Sequence, residues 1–272
     1  MQNRKSNAVP DDKNSGIFEI INNRRSIRKF SDKIVSNTVL EKILKAGVRA
    51  PFAAQLCSVI YTSDPQKMER LREMGVYPTT KVLMIFLIDV RRLEKIITQR
   101  GKQYVQDDGM TLWLGIQDVS LVVENIILAA ESLGLGSVLL GVAPQKADLL
   151  AEIFSIPLRV YPVVGLCLGY PDPSVETDIR PRFPLELTVS EDSYRDLSDS
   201  EIQACMKAMD EGYLAQGYYI KLRAKIPLKE GKDDIDYDRY SWSEHISRKF
   251  CQGRPTEEPL FAIIKRHGFN VE

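Results

Sequence analysis

The sequence predicts a mixed helix–strand fold, α+β or α/β, with helices covering both faces of one sheet. Three observations predict it. Two runs, 82–90 and 160–170, are apolar on successive residues, as strands buried on both faces must be. Before, between and after them lie stretches whose apolar residues recur at helical spacing. An apolar fraction of 44% over 272 residues suffices for a sizeable core.

The elements follow in order. Ile17, Ile20 and Ile21 share one face of a first helix, which ends before Arg24. Ser36 is placed to cap a second helix carrying Val39, Leu40, Ile43, Leu44 and Val48, and Pro51 stops it. Residues 58–62 (SVIYT) read as a strand, 64–74 as a short polar-faced helix, and 82–90 as a central strand. Ile116, Val119, Val123, Ile126, Ile127, Ala130 and Leu133 form a wide apolar face, with Gly134 at the helix end. The helix they predict, 117–133, needs cover on most sides. A short strand (SVLLG), a helix over 145–156 and the buried strand 160–170 complete an α-α-β-α-β-α-β-α-β order.

After Tyr170 the texture changes. Residues 171–186 are proline-rich and read as an extended connection. A polar helix over 198–216, a charged loop over 228–239 and two short C-terminal helices follow. The domain reading is a loose tail over 1–15, a main domain over 16–194, and a helical extension over 195–272 that packs on the main domain or on a partner.

Charge narrows the function. Lys plus Arg and Asp plus Glu number 37 each, so the chain lacks the basic excess of a nucleic-acid binder. No apolar run has the length of a membrane span, and the polar N-terminus lacks a signal-peptide core. The expectation is a cytoplasmic protein. Cys57, Cys167, Cys205 and Cys251 form no CxxC pair and read as small buried hydrophobes. His245 and His267 are too few for a histidine metal site and read as structural.

Two motifs carry chemistry. LGLGSVLLG (133–141) approaches a dinucleotide fingerprint but fails it, because Leu139 stands where the third glycine belongs and the glycines follow a helix. Gly134 and Gly136 turn the chain from helix to strand, and Gly141 permits close approach by a ligand. RRSIRKF (24–30) gathers Arg24, Arg25, Arg28 and Lys29 around Ser26. Guanidinium forks and a hydroxyl suit phosphate oxygens. Arg180 and Arg182, two apart in an extended segment, point the same way and could converge on the same dianion.

RRSIRKFSDKIV, AESLGLGSVLLG, VVGLCLGYPDP and RPRFPLE, in that order, resemble the FMN-dependent nitroreductase superfamily. YYIKLR, YSWSEHI, GRP and IIKRHGF resemble its NADPH-preferring group of nitroreductases and flavin reductases. The resemblance implies an α+β fold with a central, mostly antiparallel sheet flanked by helices and a C-terminal helical extension. It implies FMN as cofactor, bound by Arg24, Arg25, Ser26, Arg28, Arg180 and Arg182 at the phosphate and ribityl chain, with Gly141 beside the ring. Gln55, in a FAAQLCS stretch that replaces the usual serines and asparagine, is the one amide left for the ring. It implies NADPH, or NADH, as co-substrate, with Arg254 and Arg223 on the 2′-phosphate. It implies a homodimer with both chains lining each site, and ping-pong hydride transfer to nitroaromatics, quinones or free flavin. No protein side chain is assigned as a catalytic acid or base. Flavin cleavage, reductive dehalogenation, and flavin storage or regulation without turnover are the alternatives.

Overall fold

The computed structural model describes residues 15–252 and 258–271. The chain divides into two compact units, Met1–Thr177 with Glu258–Glu272, and Asp178–Glu257. The sequence boundary at 194/195 differs from this division, and 195–272 does not stay together. From Glu258 onward the chain belongs to the first unit, because Ile263, Ile264, Phe269 and Val271 are buried in its core. The tail expected over 1–15 lies, except for Ser15, outside the described residues.

The first unit is built on four strands: β1 (Cys57–Thr62), β2 (Val82–Asp89), β3 (Gly136–Leu140) and β4 (Val160–Gly169). Their spatial order is β1-β2-β4-β3, and all three pairings are antiparallel. The architecture is therefore α+β. The central strand β2 explains why 82–90 has no polar face. Val82, Met84, Phe86 and Ile88 enter one core cluster, while Leu83, Ile85 and Leu87 enter the cluster on the opposite face.

The helices of this unit are α1 (Ser15–Asn23), α2 (Asn37–Gly47), α3 (Pro65–Arg70), α4 (Val90–Gln99), α5 (Asp108–Ser132), α6 (Ala147–Phe154) and α10 (Leu260–Arg266). Ser36 caps α2, its hydroxyl accepting from the Val39 amide. The sequence reading missed α4. Asp89, the last residue of β2, caps it by accepting from Arg92 N at 2.9 Å, so no turn signal separates strand from helix. It also began α5 nine residues late. Asp107 caps that helix, and Gly115 is a contact point rather than a break: a Cβ there would meet Ile88 at 2.6 Å. With 25 residues and an 18-residue stretch of mean hydropathy 1.5, α5 has the length and composition of a membrane span. Here its buried face packs on α2, β1, β2 and β3, the place of a core helix.

The C-terminal return is clamped by Arg159. Its guanidinium holds both Asp108 oxygens at 2.6 and 2.8 Å and Glu94 at 2.7 Å, and donates to the Gly268 carbonyl at 3.0 Å. Asn270 N donates to the same Asp108 at 2.6 Å. His267, buried, meets Asp148 at 3.0 Å and packs edge-on against Tyr161.

The second unit carries α7 (Asp199–Ala215), α8 (Tyr218–Leu222) and α9 (Trp242–Cys251). In its interior Tyr219 stacks on His245, Tyr240 meets both rings edge-on, and Arg248 is buried over Tyr240. Arg248 and Lys225 both grip Asp233, at 2.8 and 2.9 Å, which anchors the charged 228–239 loop. The cysteines correct one expectation. Cys167 and Cys205 are buried, but Cys57 is half-buried and Cys251 exposed.

Candidate functional site

The basic stretch is seated along β3, an edge strand. Ile27 N donates to the Ser137 carbonyl at 2.9 Å, Ser26 pairs with Ser137, and Ser31 N donates to the Tyr170 carbonyl at 2.8 Å. Two glycines make room. A Cβ on Gly136 would lie 2.4 Å from Ile27, and one on Gly169 would lie 2.9 Å from Phe30. This corrects the reading of Gly136 as a turn residue. The turn is made by Gly134, at φ 75°, and Gly136 admits the neighbouring segment.

The four basic side chains divide. Lys29 pairs with Asp172 at 3.0 Å. Arg28 takes the Tyr77 hydroxyl at 3.2 Å and the Ser26 carbonyl at 3.3 Å. Arg24, half-buried, and Arg25, exposed, act on Glu131 in the last turn of α5. Burial pushes the Glu131 carboxyl up to about 7 against the pull of these two arginines. Its Oε1 is buried with no hydrogen-bond partner among the described residues, and so is the hydroxyl of Ser137, a residue 1% exposed. An unsatisfied carboxylate oxygen acted on by two arginines, and an unsatisfied hydroxyl on the strand that seats their loop, suit a polar ligand. Gly141, after β3, is exposed, and a side chain there would meet nothing within 4 Å.

Gln55 is not brought to this cluster. Asp118, on α5, accepts from the amides of Ala53 at 2.6 Å, Ala54 at 3.2 Å and Leu56 at 2.9 Å, which fixes the loop around Gln55. Asp118 and Glu131 are thirteen residues apart on one helix, about 20 Å at the helical rise. Gln55 itself is exposed at φ 53°, and Arg92 of α4 donates to its carbonyl. It borders a cleft of about 600 Å³ with Phe52, Cys57, Tyr61 and Asp118. Cys57 is no nucleophile there, since burial raises its thiol to about 12.

In the second unit, Arg180 reaches Gln216 Oε1 at 2.5 Å and lies 4.1 Å over the Tyr218 ring. Gln216 is held in turn by donating to the Ile179 carbonyl at 2.7 Å. Arg182 folds back on the carbonyls of residues 180 and 181, each at 3.0 Å. The expected parallel pair is therefore split between different partners, because local acceptors and an aromatic face lie within reach of each guanidinium. Arg223, exposed at φ 49°, ends α8. Arg254 lies outside the described residues. Also among the described residues, no group of three or more His, Cys, Asp or Glu is placed to hold a metal.

The nitroreductase family model matches residues 21–76 and 78–170, the span that holds the sheet, α5 and the basic stretch. The chain belongs to the nitroreductase family. It is 30% identical over 245 residues to the NADPH-flavin oxidoreductase of Vibrio harveyi, covering 88% of this chain and 92% of that one. It is 28% identical over 248 residues to the oxygen-insensitive NADPH nitroreductase of Salmonella typhimurium, covering 89% and 94%. Among solved structures it is similar to B. megaterium NfrA2, with a TM-score of 0.78, 26% identity, and coverage of 94% and 99%.

Sequence reasoning missed three residues of this nitroreductase-family chain. Asp118 and Glu131 are acidic residues among the apolar run of a largely buried helix, and that was the available signal. Tyr77, which holds Arg28, gave none. It lies 49 positions away and meets the arginine only because the chain returns to the same end of the sheet.

Proposed function

We propose that this chain binds FMN and uses it to pass reducing equivalents from NADPH to a nitroaromatic, a quinone or free flavin. The chain is an NAD(P)H-dependent oxidoreductase of the nitroreductase family. The observation that carries the finer reading is the socket of Arg24, Arg25, Ser26 and the unsatisfied Ser137 hydroxyl on β3. Its donors fit a phosphate: guanidiniums for charge, a hydroxyl and adjacent amides for orientation. When bound, FMN supplies the hydride chemistry, so no protein acid or base is required. Arg28, fixed by Tyr77, orients the same loop. The open face at Gly141 gives a planar ring room beside β3. The family resemblance adds Arg180 and Arg182 to the phosphate, Gln55 to the ring, and Arg254 and Arg223 to NADPH.

We further propose a homodimer. Met110, Trp113, Ile116 and Leu121 on α5 are exposed apolar side chains, and Trp113 is 64% exposed. A second copy covers that face and supplies the Gln55 loop that a chain's own arginine cluster lacks. The test is direct. The purified protein is yellow, released flavin chromatographs as FMN, and NADPH bleaches it without oxygen. A colourless protein, or one that NADPH leaves yellow, refutes the reading. Arg254→Ala raises KM for NADPH roughly ten- to hundredfold and leaves NADH kinetics unchanged. Equal harm to both cofactors removes Arg254 from that role.

A further inference from the structure

Glu131 is out of place by ordinary rules. A carboxylate buried beside arginines is normally taken up in hydrogen bonds. This one has an Oε1 buried without a partner among the described residues, and the Ser137 hydroxyl on β3 is another such atom. Ser137 pairs with Ser26 in the loop that carries Arg24 and Arg25, and the charges of those two arginines reach Glu131. A dianion docking on those two guanidiniums would stand close to the Glu131 carboxyl, and two anions in one half-buried site repel.

We propose that Glu131 is the proton-linked counter-ion of the anion site: as a carboxylate it balances Arg24 and Arg25, and it takes up a proton when a flavin phosphate claims them. This rests on the assignment of the phosphate to Arg24 and Arg25. The surroundings leave Glu131 as the group that answers. Arg24 and Arg25 are the charges that act on it. Of the elements packed on α5, β3 carries no titratable side chain, and α1 carries only Glu19, which is exposed. The charges of α2, Glu41, Lys42 and Lys45, are exposed, with Glu41 paired to Lys45. β1 and β2 carry Cys57, Tyr61 and Asp89. On α5 itself the other acids are Asp108, Asp118 and Glu124, the last of these seven residues earlier. The protonated carboxyl also gains an O–H, which gives the unpartnered Oε1 a donor role in the same socket.

The experiment is a flavin titration of the full-length, flavin-stripped protein between about pH 7 and pH 9, where the phosphate of FMN is already a dianion. The wild type binds FMN more weakly as pH rises, by up to about tenfold per unit for one linked proton. Glu131→Gln removes the slope and binds more tightly than wild type at the alkaline end. Calorimetry of the wild type at about pH 8, in two buffers of different ionisation enthalpy, reads the uptake of up to about one proton without any variant. Absence of proton uptake, or a Glu131→Gln protein that binds more weakly with an unchanged slope, overturns the proposal. Riboflavin, which lacks the phosphate, separates the two readings. FMN and riboflavin binding equally sinks the phosphate assignment itself, whereas a preference for FMN with no pH slope sinks only the role of Glu131.

Discussion

Of the four acidic side chains on helix α5, Asp118 and Glu131 are used in opposite ways. Asp118 is 1% exposed and fully committed, with three backbone amides of the 53–56 loop on its two oxygens. Glu131 is half-buried, uncommitted on Oε1, and faced by two arginines that are themselves within reach of solvent. A satisfied buried carboxylate is a structural pin. An unsatisfied one beside free-ended cations marks a place where something else binds. The same helix thus fixes a loop at one point and keeps a site responsive about 20 Å further on.

Removing the pin should have the largest effect. Asp118→Ala strands three amides and should destabilise the protein by about 5 kcal/mol. Asp118→Asn, which keeps an acceptor oxygen, should cost roughly half of that. Urea unfolding reads both, and a loss under about 1 kcal/mol for the alanine variant would show that the amides find other partners. Next comes another acid of the helix, Asp108, held by Arg159. Arg159→Met leaves that carboxylate buried and unpaired, at a cost of about 3–4 kcal/mol. The same variant should increase proteolysis around residues 258–271, since the clamp on Gly268 goes with it.

At the responsive end the order of effects reverses. Arg24→Ala should change stability by less than about 0.5 kcal/mol, because the side chain is not committed to the core. It should nevertheless weaken FMN binding about tenfold, the loss of one charge-assisted contact. Undiminished FMN binding would place the phosphate elsewhere.

The smallest effect is the pH dependence of stability in the flavin-free protein. Glu131 has an ordinary value of 4.5 and is raised to about 7 by burial. The folded state therefore holds the proton more tightly than the unfolded one. Its contribution is fully present below about 4.5 and is lost as pH rises to about 7. Thermal melts of wild type and Glu131→Gln should agree at the acid end and separate towards neutrality, with the variant more stable. Parallel curves would mean that Glu131 titrates normally.

Much of the fold was legible because burial leaves a periodic trace. β2 reads as apolar on both faces because its alternate residues enter two separate cores. Ser36 and Gly134 announced the ends of their helices by local chemistry. Helix α4 carries Val90, Leu93 and Ile97 at helical spacing, but its cap, Asp89, is the last residue of a strand, so no break in the sequence announces it. At the site, the sequence singled out Arg24, Arg25, Ser26, Arg28 and Gly141. It assigned Gln55 to the ring of the same cofactor, and within one chain Gln55 and the arginine cluster lie apart.

By itself the sequence determined which strands are central, which helices have a buried face, and where positive charge collects. These are set by side-chain period and composition within a few turns of chain. Only the tertiary structure decided that Gly136 and Gly169 open a seat for the basic loop. It alone decided that Asp118 is spent on a loop while Glu131 is left to face two arginines, and that the last fifteen residues return to the first unit. The physical reason is common to all three. Each depends on which groups meet across the sheet or along α5, and close approach, hydrogen-bond satisfaction and desolvation are properties of those meetings rather than of any local stretch of chain.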